Sequence, residues 1–496
     1  MRACYEKQGP AVTLTTYLDK QQGHLRMLNI AKCERFLSVT LATHTPYCWL
    51  RMSFISGFSA LRESLQMLGS RWLVLVLAAL LVLGSPTPDT FWQGASANAQ
   101  SSHPFEIPEW LRDYYPTEEW RFCTPEEQGM NSTRLNEMLP YIAESGWLMD
   151  SIIVIRGGYV VFEAYPGDLY TEDYYHTLQS VTKSFVSCLI GLAIREGILP
   201  GVDSTILDLF SERSPLNVDD RKERMTVEHL LTMTSGVEWD ESTYPFNDTE
   251  RNSLTRMVLS EDCIDHFLSL PMVSEPGEQW VYSSGATIVL AALIEELSDY
   301  DLMDFAHEFL FDPIGIEGAV CIKTHDGYYH GGGGLYLKPR DMARFGYLYL
   351  NGGNWDGQQV VPLDWVLSST RYQVYLPPSL GYGYLWWLHP GLDAYQAHGR
   401  FGQRIAVSPE EDLVVVYTAS LPDYIYNPED ELLRDFILDS ITGPPRTVNE
   451  STQTSSTSET QGSPLLVPLG LSVSAVVFVA VWLASTKRRP ISRRVG

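Results

Sequence analysis

Between residues 149 and 200 the pattern of apolar and polar positions changes period once. Ile152-Ile153-Val154-Ile155-Arg156 and Tyr159-Val160-Val161-Phe162-Glu163 are two strand-like runs joined at Gly157-Gly158, which predicts a hairpin. From Val181 onward, Val181, Phe185, Cys188, Leu189 and Leu192 recur every three or four residues, which predicts a helix with most of its surface buried. Upstream, 132–145 reads as a first helix with Leu135, Met138, Leu139 and Ile142 on one face. Downstream the chain is mainly helical with long loops: a short helix at 227–233, a polar and partly exposed stretch at 253–270, a turn at 275–278, and apolar helices at 286–297 and 340–351. Two last runs, 404–408 and 413–419, predict a second hairpin, and a helix at 429–441 follows. Strands at both ends with helices between them predict an α+β (α/β sandwich) fold. Its antiparallel sheet is flanked by terminal helices, a helical subdomain is inserted in the middle, and the groove between the two parts is the place for a ligand.

Outside this body the composition shifts. Residues 1–66 carry little information, and Met67 is a natural start. Arg71, an apolar core at 72–84 and the small residues Ala97-Asn98-Ala99 give 67–99 the order of a signal peptide. Residues 100–122 read as an extended lead-in and 123–441 as the folded domain. Residues 442–464 make a Ser/Thr-rich stalk, 465–484 an uncharged stretch long enough to span a membrane, and 485–496 a basic tail. The expectation is a single-pass protein of the cell membrane, its domain outside the cytoplasm and its C-terminus inside. Sequons at Asn131, Asn247 and Asn449 mark candidate glycosylation positions.

The formal charge of −26 excludes nucleic acid as a partner of the body. Seven scattered cysteines without a CxxC pair exclude a disulfide scaffold and a zinc ribbon, leaving a single Cys263 to Cys321 bridge open. His325 and His330 have no carboxylates at metal-ligand spacing, so no metal and no cofactor is assigned.

The chemistry begins at Ser180, at the start of the central helix, with Lys183 one turn on and on the same side. A serine hydroxyl needs a neighbour to take its proton, and a partly desolvated lysine is neutral enough to do so. A helix-capping serine followed by a solvent-facing lysine explains the same four residues without chemistry. What favours catalysis is the company of Tyr282-Ser283-Ser284 and of Ala397-His398-Gly399-Arg400-Phe401-Gly402-Gln403.

With these motifs in this order, the chain resembles the serine beta-lactamase and penicillin-binding-protein superfamily. The likeness is to its class-C-like branch, with the related family VIII esterases and 6-aminohexanoate-dimer hydrolases, and covers roughly 123–440. The resemblance implies that Ser180 attacks a carbonyl and is acylated, that Lys183 holds or removes its proton, and that Tyr282 shuttles a proton to the leaving group. It implies an oxyanion hole from the backbone N–H groups of Ser180 and Arg400, and substrate contacts from Ser284, His398, Gly399 and Arg400. Two departures, Ser284 in place of an asparagine and Ala397-His398-Gly399 in place of Lys-Thr-Gly, favour an esterase or linear-amide hydrolase. A D-amino-acid peptidase, a beta-lactamase, an acyltransferase and a silent binding protein on the same fold are the alternatives. The expected partner is a small-molecule ester, amide or short peptide. Trp239, Tyr382, Tyr384, Trp386 and Trp387 either line an apolar acyl pocket or pack in the core.

Overall fold

The computed structural model describes residues 42–44, 47–49, 105 and 112–446, except 168 and 424–426. The chain divides into two units, Met1–Asn98 and Ala99–Gly496. In the first, the strands Ala42–His44 and Tyr47–Trp49 pair antiparallel, with Ala42 opposite Trp49.

The second unit is built on an eight-stranded antiparallel sheet. Its strands are β1 (Met149–Arg156), β2 (Tyr159–Ala164), β3 (Val374–Leu376), β4 (Leu380–Tyr382), β5 (Trp387–His389), β6 (Ala394–Gly399), β7 (Gln403–Ser408) and β8 (Leu413–Ala419). Their spatial order is β3-β4-β5-β6-β7-β8-β1-β2, so the first hairpin of the body docks beside the last strand. Gly157 and Gly158 turn that hairpin at φ +59° and +82°, the left-handed pair that a tight two-residue turn requires.

Four longer helices flank the sheet: α1 (Ser132–Ser145), α2 (Thr182–Arg195), α3 (Ser284–Leu297) and α4 (Pro339–Leu350). Strand alternation sends Ile153, Ile155, Ile405, Val407, Val414 and Val416 into one core with α2 and α4. It sends Ile152, Val154, Ala406, Val415 and Tyr417 into a second core with α1 and the C-terminal helical segment that begins at Pro428. The two layers of the expected sandwich are therefore present, with the helix that follows Ser180 inside the larger one. Helix α2 is buried from Thr182 to Ala193 and α3 packs against it, bringing the inserted helical part onto the central helix.

The stretch 253–270 is partly exposed as expected, with Arg256, Leu259 and Glu261 on the surface; it forms two short helices, Ser253–Val258 and Cys263–Leu268, capped by Asn252 and Asp262, whose inner faces bury Met257, Ile264, Phe267 and Leu268. Two other readings are changed by the structure. Cys263 and Cys321 are both free thiols, and Cys263 faces Thr324 instead. The membrane anchor, and with it the membrane partner and single-pass location, is withdrawn: among the described residues no helix is long and apolar enough to cross a membrane. The most apolar helices, α2 and α3, have 14 residues each. That is about 21 Å of rise against a hydrocarbon thickness of about 30 Å, and their apolar surface is spent on the core. The signal-like segment 67–99, the stalk 447–464, the stretch 465–484, the tail 485–496 and Asn449 lie outside the described residues.

Candidate active site

Ser180 sits in a 3-10 turn, Gln179–Val181, that leads into α2. The turn is fixed from outside: Leu178 N–H donates to Leu335 O at 2.9 Å, and Leu335 N–H donates to the Thr182 hydroxyl at 3.2 Å. Gln179, one residue before Ser180, takes a left-handed φ of +48°, a conformation that costs a non-glycine residue about 1 kcal/mol or more.

Helical spacing places Lys183 beneath Ser180, and its ammonium is 3.0 Å from the serine oxygen. The same nitrogen donates to Ser284 Oγ at 2.9 Å and to Gly332 O at 2.6 Å, so all three of its N–H directions are used. Lys183 is only 2% exposed. Burial pushes its pKa down to about 8, against an opposing pull from Glu241.

Ser284 opens α3, whose cap is Ser283 accepting from Ala286 N–H at 3.1 Å. The buried carboxylate of Glu241 accepts the Ser284 hydroxyl at 2.9 Å, the Ser284 amide at 2.8 Å and the Trp239 indole N–H at 3.0 Å. An anion at this helix N-terminus is stabilised by the unpaired N–H groups there. The result is a continuous array, Glu241, Ser284, Lys183, Ser180. Tyr282 adjoins it: the Lys183 ammonium lies 4.8 Å from the centre of its ring, and Ser180 exerts a downward pull on the pKa of its phenol. Burial, and then Glu241, hold that phenol above its usual pKa, so it is a neutral O–H at pH 7.

The third motif lies on β6. A side chain at Gly399 would put its Cβ 2.4 Å from the carbonyl oxygen of Leu178, so only glycine lets the strand lie against the turn of Ser180. On the other side, β5 pairs with β6 only from Ala394 to Gln396. The edge of β6 beside Ser180 is thus left open.

The sequence-derived residues separate into two groups. Ser180, Lys183, Tyr282 and Ser284 meet around one ammonium, with Gly399 against the adjoining turn. His398 instead contacts Gln396 and Arg404, each at 2.8 Å, and stacks on Trp387 with ring centres 5.3 Å apart. The Arg400 guanidinium is held in a two-pronged ion pair with Asp423. Asn131 caps α1 through its side chain, and Asn247 is exposed. Of the aromatic group, Trp386, Tyr382 and Tyr384 are core residues, Trp239 serves Glu241, and only Trp387 is half-exposed beside Tyr282. Gly332 belongs to the glycine run 331–334, whose lack of side chains allows the close backbone approach seen here: a Cβ at Gly332 would stand 2.8 Å from that of Ser284. Glu241 escaped the sequence reading, since it lies in an aperiodic loop where the one signal was a carboxylate two residues after a tryptophan.

A buried lysine against a serine, beside a neutral tyrosine and on this sandwich, is an arrangement able to perform serine-hydrolase chemistry. Comparison with known proteins agrees, since the family described as Beta-lactamase matches residues 142–437, more than half of the chain. The chain belongs to that family. It is similar to the 6-aminohexanoate-dimer hydrolase of Paenarthrobacter ureafaciens, with 24% identity over 311 residues, 59% of this chain and 77% of the relative. Among solved structures it is similar to a Bacillus anthracis protein assigned as a 6-aminohexanoate-dimer hydrolase (TM-score 0.54, 21% identity, 68% of this chain and 88% of that one). A second is EstCE1, a hydrolase with promiscuous acyltransferase activity (TM-score 0.52, 15% identity, 63% and 98%). These relations place the protein among hydrolases of the esterase, amidase and beta-lactamase kind.

Proposed function

We propose that the protein cleaves an ester or a linear amide through an acyl-enzyme formed on Ser180. The observation that carries this reading is the 3.0 Å contact between Lys183 Nζ and Ser180 Oγ, made by a lysine whose pKa is brought down to about 8. Near that pH a substantial share of Lys183 is neutral, and its lone pair accepts the serine proton as Oγ attacks the carbonyl carbon. Negative charge gathers on the carbonyl oxygen, where the backbone N–H groups of Ser180 and Arg400 receive it; such donors contribute about 3 kcal/mol each. Tyr282, a neutral phenol, gives its proton to the departing oxygen or nitrogen and is reprotonated from Lys183. Water then enters by the reverse route and releases the acid. Ser284 holds Lys183 in place, and Gly399 with the open edge of β6 gives the substrate a strand to lie along. A relative named for hydrolysing a 6-aminohexanoate dimer is in keeping with cleavage of a linear amide bond, although the leaving group argued for below differs from the carboxylate-bearing amine such a dimer would release.

The test is intact-mass analysis after exposure to a fluorophosphonate and to a p-nitrophenyl ester, with peptide mapping and Ser180→Ala as control. A stable fluorophosphonate adduct on Ser180, and an ester adduct that turns over, are expected. A folded protein that takes up neither reagent overturns the assignment.

A further inference from the structure

The rings around Tyr282 say which substrates this site takes. We infer that the leaving group seated against Tyr282 is an uncharged, apolar and preferably aromatic alcohol or amine, and that leaving groups bearing a carboxylate are rejected. The inference rests on the hydrolase reading above, in which Tyr282 hands its proton to the departing atom.

Trp387 lies nearly parallel to Tyr282, with ring centres 6.3 Å apart and planes at 28°. It also stacks on His398 at 5.3 Å and 16°. Trp280 meets Trp387 edge-on at 5.8 Å and also packs on buried Tyr382 at 5.6 Å. Tyr382 supports the group from below, whereas Trp280, Tyr282, Trp387 and His398 each keep part of their surface open. Four partly open rings in one array beside a nucleophile favour an apolar, planar guest over a hydrated one.

The charges around them point the same way. Lys183 is committed to Ser180, Ser284 and Gly332. Arg404 is committed to Gln396, Asp430 and Glu429. Arg400 is held by Asp423, and its guanidinium lies 4.8 Å from the ring centres of both Phe246 and Phe401, so it presents phenyl rings and a neutralised pair. His398 is kept uncharged by burial and by the neighbouring Arg404 and His389. Ala397, on β6, brings no charge, while Glu241 supplies a buried negative one. Among the described residues, a carboxylate entering this array would lose its water, gain no counter-ion and face Glu241.

The test is a leaving-group pair with one acyl chain: phenyl butyrate and 4-carboxyphenyl butyrate, compared by kcat/KM after Ser180 labelling has been scored. The phenyl ester is expected to be preferred roughly 100-fold, as for a buried site without a counter-charge. Trp387→Ala is expected to shrink that preference to about 10-fold, mainly by raising KM for the phenyl ester. Equal rates, or a preference for the carboxylated ester, in a wild-type protein that labels at Ser180 overturn this inference and leave the hydrolase reading standing. Failure to label Ser180 in a folded sample overturns both.

Discussion

One carboxylate grips two atoms of one residue: Glu241 accepts the hydroxyl of Ser284 through Oε1 at 2.9 Å and its amide through Oε2 at 2.8 Å. Because Ser284 Oγ is also an acceptor for Lys183, the loop that carries Glu241 sets both the position and the electrostatics of the lysine that contacts Ser180.

Replacing Glu241 by Gln keeps the shape and removes the charge. Glu241 holds the pKa of Lys183 up against burial, so without it that pKa falls further below its present value of about 8. The ascending limb of the pH profile of kcat/KM should move to lower pH. An amide in that place also puts an N–H₂ against a donor, and one lost buried hydrogen bond costs about 1–3 kcal/mol in urea unfolding.

In the unaltered protein the proposed mechanism, in which neutral Lys183 takes the serine proton, makes kcat/KM rise as pH increases through about 8. Stability should rise over a higher window. The folded lysine has a lower pKa than the unfolded one, so between pH 8 and about 10.4 the unfolded chain binds more protons and raising the pH favours the fold. Lys183→Met should abolish turnover and remove this rise, as read by melting temperature across the window.

Gly399→Ala tests the approach of β6. The added carbon would stand 2.4 Å from the backbone oxygen of Leu178, which has no rotamer to escape into. The strand must move away from the Ser180 turn, and a shift of about 1 Å costs roughly 100-fold in rate. Loss of activity with near-normal circular dichroism is the expected outcome. Full activity would show that the contact is dispensable.

A buried pair near the nucleophile turn gives a prediction about stability alone. Asp150 Oδ2 accepts the Ser420 hydroxyl at 3.0 Å and lies 3.8 Å from His176 Nδ1. Burial raises Asp150 to about 6 and lowers His176 to about 4. For Asp150 the folded state holds its proton more tightly, so stability falls as pH rises from about 4 to 6; for His176 the unfolded state does, so stability rises from about 4 to 6.5. The two slopes oppose each other. Asp150→Asn should expose the histidine slope, making the melting temperature climb between pH 4 and 6.5, by up to about 3 kcal/mol of stability. His176→Asn should expose the opposite slope. Parallel curves for both variants would rule the pair out.

Helix α2 was legible because its periodicity and its chemistry coincide: the spacing that buries Phe185, Leu189 and Leu192 also puts Lys183 under Ser180. The two hairpins were legible from paired β-rich runs and turn residues. Strands β3, β4 and β5 were not, since each has three residues, too short for an alternation to register, and their aromatics read as pocket or core with equal ease. Glu241 was not legible either, because nothing local distinguishes a carboxylate on solvent from one that meets a helix terminus 43 residues away.

The end of the folded body returns to the turn that precedes α1. Thr442 and Gly443 donate to the carbonyl of Gly129, Met130 bridges to Ile441, and both stretches adjoin the core under α1, across the sheet from α2. Coupling the protein to a bead or a fusion partner through the stretch after Gly443 would therefore attach it on the face of the sheet opposite Ser180.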